Sequence, residues 1–327
     1  MAEFERGPRA HVLLPHGRDK SLADTLTYAG SRQRFAGETE VGRTAHMIVY
    51  TDGSAEGTAS AKAVLASAEA NYAVVQDWFG GINLPPGQEG DDQTVPRTAL
   101  PIQVLIDPQA GGAYHFGCDA TDLYIAPDPQ LAPGFMVAEL VEVFEAAANT
   151  GWDCGHANGE SLSRALAGDR NPALVADLLQ TEQTWWADGH ADFITNNAAD
   201  DRNEDSNGGG TLFLYYLHSQ LGFSWRQIST TGGSSLGACY QKLTGKDPAQ
   251  GFRDFVSLLS TLDQGGQLRL PQSSNPFPIG GGAQPAIAGS GAATSGGGSG
   301  MLWTILGVVI VIVVIVGVLV ATGVVGR

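Results

Sequence analysis

The chain has 327 residues, 18 basic and 34 acidic, for a net charge of −16, and 43% of its residues are hydrophobic. That length and apolar content suffice for one or two domains with a substantial core and exclude a disordered chain. The acidic balance, without clustered Lys and Arg, excludes a nucleic-acid binder.

In chain order, residues 1–40 are charge-rich with little periodicity and read as an N-terminal extension. The first thirty hold Arg6, Arg9, Arg18 and Lys20 but no apolar run, so no secretory signal is expected. The stretch AHMIVY at 45–50 predicts a buried strand closed by Thr51-Asp52-Gly53. From 59 to 79 the spacing of Ala63, Leu65, Ala66, Ala70, Tyr72, Val75 and Trp78 predicts a helix stopped by Gly80-Gly81. Residues 84–98 carry three prolines and read as surface loop. Strands are predicted at 102–106 and at 113–116, the latter continuing through a turn into 123–126. Beyond Pro133 the apolar spacing predicts helices at 134–148, 159–167, 173–180, 211–221, 234–243 and 249–262, with 199–210 as an acidic, Gly-rich loop. Cys118, Cys154 and Cys239 are odd in number and lack C-x-x-C spacing. They suggest neither a disulfide framework nor a cysteine-built zinc site, and favour a reducing compartment.

The end of the chain differs in kind. Residues 270–326 include no charged residue. Residues 269–300 are Pro-, Gly- and Ser-rich and read as a flexible linker. From Leu302 to Gly326 the chain is apolar or small throughout, long enough at ~1.5 Å per residue to cross the ~30 Å hydrocarbon layer. A transmembrane helix is therefore expected in 301–327, with Trp303 at an interface and the soluble domain, residues 41–268, on the cytoplasmic side. Gly317 and Ala321 form a small-xxx-small pair on that helix.

The helix at 134–148 carries the functional question. At 100° per residue, Val137, Leu140, Val141, Phe144 and Ala148 share one stripe, while Glu139, Glu142 and Glu145 cluster opposite. One reading makes these glutamates the solvated face of an amphipathic helix. Another follows from what comes next: Trp152-Asp153-Cys154-Gly155-His156-Ala157-Asn158-Gly159-Glu160 leads into the helix SLSRALA. The order of small sheet, strand pair, helix and second helix resembles the zincin metallopeptidases of the gluzincin type. In that family an H-E-x-x-H helix supplies two zinc-binding histidines and a water-activating glutamate, and a later helix supplies a glutamate ligand. The aligned segment here is Ala138-Glu139-Leu140-Val141-Glu142, with Glu160 at the third ligand's place.

The resemblance implies an α+β fold, a small mixed sheet followed by a mainly helical half. It also implies that the catalytic site has degenerated, since Ala138 offers no donor atom and Glu142 replaces the second imidazole. A pseudo-peptidase of this kind needs no cofactor and would bind a peptide or protein along an edge strand within 113–126, above an acidic floor. The alternative is an active metal-dependent hydrolase with Glu139 as base and Glu142, Glu160 and His156 holding a harder ion such as Mg²⁺, Mn²⁺ or Ca²⁺. Trp185-Trp186 and His218 read as core or boundary residues, and the D-x-H-x-D of Asp188, His190 and Asp192 diverges on a helix.

Overall fold

The computed structural model describes residues 10–13, 28–35, 37–87, 98–198 and 202–270. All of them belong to one compact unit. The expected span at 301–327 and most of the linker lie outside the described residues. Among the described residues no helix is long and apolar enough to cross a membrane.

The fold is α+β. Six strands form one mixed sheet: β1 (Ala10–Leu13), β2 (Thr39–Arg43), β3 (Met47–Thr51), β4 (Ile102–Ile106), β5 (Ala113–Phe116) and β6 (Asp122–Ile125), in the order β1-β5-β6-β4-β3-β2. β3, β4 and β6 run parallel, and β1, β5 and β2 are antiparallel to their neighbours. The parallel pair β3 and β4 requires a crossover, which α2 (Ala55–Trp78) provides. Ser54 caps its start by accepting from the Gly57 amide at 3.0 Å.

Strand alternation divides the sheet's two faces. Met47, Val49, Ile102, Val104 and Leu123 join the main core with α2 and α3 (Ala132–Ala148). Tyr114, Phe116, Leu105 and Tyr124 turn the other way and meet Phe35 of α1 (Tyr28–Phe35). Arg34 of that helix pairs with Asp107 at 3.2 Å and also donates to the Tyr114 hydroxyl. Residues 1–40 thus contribute a strand and a helix, neither legible in their charged, aperiodic sequence. β1 also corrects the edge-strand expectation. β5 is bonded on both sides, and among the described residues the sheet ends on β1 and β2.

The second half is helical: α4 (Ala157–Arg170), α5 (Val175–Ala187), α6 (Glu204–Tyr215), α7 (Trp225–Thr231), α8 (Leu236–Thr244) and α9 (Pro248–Ser260). Trp185 and Trp186 are core residues, their indole N–H groups donating to the Ala191 carbonyl and to Asp263. His218 is bonded to the Phe223 carbonyl and stacked on Trp225. His190 stacks on Trp186, and Asp192 accepts from the Ile194 and Thr195 amides, so the D-x-H-x-D group serves a turn.

The predicted loop at 199–210 is overturned in its second part, because α6 begins at Glu204 with Asn203 as its cap. Gly208, Gly209 and Gly210 lie inside that helix because its neighbours leave no room for a side chain. A Cβ on Gly208 would meet the Thr181 carbonyl oxygen at 2.2 Å, and one on Gly210 would meet Ser161 Oγ at 2.0 Å. The low helix propensity of glycine is overridden by close packing. Gly208→Ala should therefore lower stability by about 1–3 kcal/mol, measured as a lower urea midpoint with the circular dichroism of the folded state retained.

Glu182 of α5 is fully buried, and desolvation raises its carboxyl to about 8. Below the ordinary carboxyl range it is neutral whether folded or unfolded. Above that range only the unfolded chain ionises, so stability falls as pH rises towards 8. Glu182→Gln should remove that slope, leaving the variant more stable than the parent by a few kcal/mol at pH 8 and nearly equal to it at pH 4, as read from urea midpoints across pH.

Candidate functional site

The site forms where β5, α3 and α4 meet. α3 starts after Asp128, whose side chain accepts from the Gln130 and Leu131 amides, carries Pro133 in its first turn, and ends at Asn149 in the left-handed conformation. Glutamates at i, i+3 and i+6 share one face of it. That face is not solvated: the sheet and α2 cover one side of α3 and α4 covers the other. Glu139 and Glu142 are 1% exposed, and Glu145 and Glu160 are fully buried.

α4 begins at Ala157 with His156 as its cap residue and projects Glu160 and Arg164 from successive turns. Gly159 permits the approach, since a Cβ there would lie 2.3 Å from the Asp153 carbonyl oxygen and 2.6 Å from Glu145 Oε2. Arg164 donates through Nε and Nη2 to Glu160 Oε1, at 2.8 and 2.7 Å. Across the site, His115 on the α3 side of β5 is bonded through Nδ1 to Glu139 Oε2 at 2.6 Å and lies 3.8 Å from Glu142 Oε2.

Carboxylates outnumber cations here, and the titration behaviour reflects it. Burial raises the Glu142 carboxyl well above its ordinary range, with Glu160, Glu139 and Glu145 adding repulsion and a Ser163 hydrogen bond opposing. Glu145 is raised by burial first, then by Glu160 and Asp153, and neither of its oxygens has a hydrogen-bond partner among the described residues.

A disulfide closes one wall. Cys118, in the turn after β5, is bonded to Cys154, in the loop before α4, with their Cα atoms 5.6 Å apart. This corrects the reading that the cysteines suggest no disulfide. The odd one out is Cys239, a buried thiol pushed up to about 12 by desolvation, hence unreactive.

No family model, curated protein or solved structure matches the chain. The likeness to the zincins therefore rests on element order and on the spacing of Glu139, Glu142 and Glu160. Glu139 and Glu142 share a face of α3, and Glu160, which the resemblance places beside them, acts on Glu142 from α4. His156 does not join them. Its ring is 37% exposed and its Nδ1 lies 2.9 Å from Asp153 Oδ2. The histidine that does face the glutamates is His115, absent from the sequence-derived set. The signal for it lay in the alternation of AYHF, which sends Tyr114 and Phe116 to one face and His115 to the other. Ligand atoms of His115, Glu142 and Cys154 lie within 4.8 Å of one another, the closest approach to a metal-binding set among the described residues.

Because a buried carboxyl with no partner favours its neutral form, Glu145→Gln should resist urea better than the parent at pH 7.5. The advantage should vanish near pH 4, where the carboxyl is protonated whether folded or unfolded.

Proposed function

We propose that this is a zincin-like body that binds an extended peptide without cleaving it and is held at a bilayer by residues 302–326. The observation that carries the reading is the pairing of β1 with β5. Ala10, His11, Val12 and Leu13 run antiparallel to Phe116, His115, Tyr114 and Ala113, so the strand beside the glutamate helix accepts an extended segment by strand addition. A partner peptide would use the same edge in competition with the chain's own residues.

Loss of hydrolysis is supported by the helix itself. Ala138 has no donor atom, and Glu139, at the position of the catalytic base, is buried and engaged by His115. A hydrolase working through Glu142 and Glu160 would have to bring substrate to carboxylates with almost no exposure, one of them already held by Arg164. The membrane part rests on the uncharged apolar run at 302–326.

A labelled peptide copying residues 7–16 should bind a chain from which those residues are deleted and fail to bind the intact chain, as followed by fluorescence anisotropy. Neither chain should hydrolyse it with zinc present. Hydrolysis abolished by Glu139→Gln, or no binding by either chain, would overturn the reading.

A further inference from the structure

We propose that opening the Cys118–Cys154 bridge creates a metal site of the zinc class, in which one ring nitrogen of His115, one carboxylate oxygen of Glu142 and the Cys154 thiolate hold the ion. The inference is independent of the peptide-binding reading, since these groups lie in the wall beneath the strand and not along its edge.

Three observations converge on it. The ligand atoms of these residues lie within 4.8 Å of one another and all three residues are buried, so a small shift brings them to the ~2.0–2.3 Å bonds that zinc makes with nitrogen, oxygen and sulfur. Among the described residues, Glu142 Oε2 is buried and has no hydrogen-bond partner, and Glu145, next along the same face, has none for either oxygen. A buried acceptor left unmet inside a folded protein calls for a ligand to explain it, and a dication would answer the excess of carboxylates here. Finally, Glu139 grips the His115 ring through Nδ1 at 2.6 Å, the carboxylate-to-imidazole contact that orients a metal-binding histidine and raises its basicity.

The donor set selects the ion. Nitrogen, oxygen and thiolate together favour zinc or cobalt over the harder magnesium and calcium, which the three glutamates alone would suit. In the oxidised chain Cys154 shares its sulfur's bonding electrons with Cys118 and cannot act as a thiolate. Reduction by a dithiol breaks the S–S bond. Each cysteine sulfur gains one electron and one proton, and the dithiol is oxidised to its own disulfide. Metal binding then releases the Cys154 proton. Cys118, on the more exposed side of the bridge, moves away and opens the route by which the ion enters. The site is thus governed by the thiol–disulfide state of the chain.

Cobalt(II) serves as the probe, because a thiolate ligand gives it an intense near-ultraviolet charge-transfer band. The full chain in detergent, as isolated, should show no such band. After phosphine reduction and removal of the reductant it should bind one cobalt with the band present, and zinc should displace it. Cys118→Ser should show the band with no reductant at all, and Cys154→Ser should show it in neither state. Glu142→Gln and His115→Ala should each weaken cobalt binding at least tenfold where circular dichroism shows the fold retained. If His115→Ala fails to fold, Cys118→Ser and Glu142→Gln decide the matter alone. A folded Cys118→Ser chain without the band, or a band whose affinity is unchanged by Glu142→Gln, would overturn the assignment.

Discussion

Taking carboxylates out of water costs several kcal/mol for each one that stays ionised, and the middle of this protein is arranged around that cost. Glu139, Glu142, Glu145 and Glu160 are enclosed where α3 lies against α4, and Arg164 and His115 reach in to meet them. Arg164 is committed to Glu160 and His115 to Glu139. Glu142 and Glu145 are left to the remaining response open to a buried acid, which is to hold a proton into a pH range where it would ordinarily have lost it. The neighbouring architecture serves this enclosure: Gly159 lets α4 come close enough to seal Glu145, and the Cys118–Cys154 bridge ties the turn after β5 to the start of α4.

Such an arrangement separates shape from chemistry. On the proposed zincin-like reading, Ala138 offers no metal donor, and Glu139 is buried and engaged by His115. β5 takes an extended neighbour, β1, along its edge, and its inward face contributes His115 to a pocket closed by the Cys118–Cys154 bridge. The two proposals, docking at the strand and ion binding in the pocket, concern separate groups of adjoining regions, because the strand offers backbone groups along its edge while the pocket offers side chains from its inward face.

Much of this was legible in the sequence. The strands at 102–106, 113–116 and 123–126 were legible as short apolar runs bounded by turn residues, and the helices around 59–79 and 134–148 as apolar residues at helical spacing. The nearness of Glu142 and Glu160 was an expectation of the zincin resemblance, not of spacing along the chain. The burial of the glutamate face was not legible, since helical periodicity tells which residues share a side and not what lies opposite. The glycines at 208–210 read as a loop for the same reason: propensity sees their conformational freedom, and only the neighbouring Thr181 and Ser161 make their lack of a side chain a requirement of packing.

The amino-acid sequence by itself determined the acidic balance, the α+β order of elements, the uncharged apolar end and the glutamate spacing of the helix at 134–148, because each of these is a local property of composition or spacing. Tertiary structure alone decided that His115 and not His156 faces the glutamates, that residues 10–13 close the edge of β5, and that Cys118 meets Cys154 across 36 residues. Those are long-range encounters, and their partners are chosen by how the sheet and helices pack, a choice no window along the chain contains.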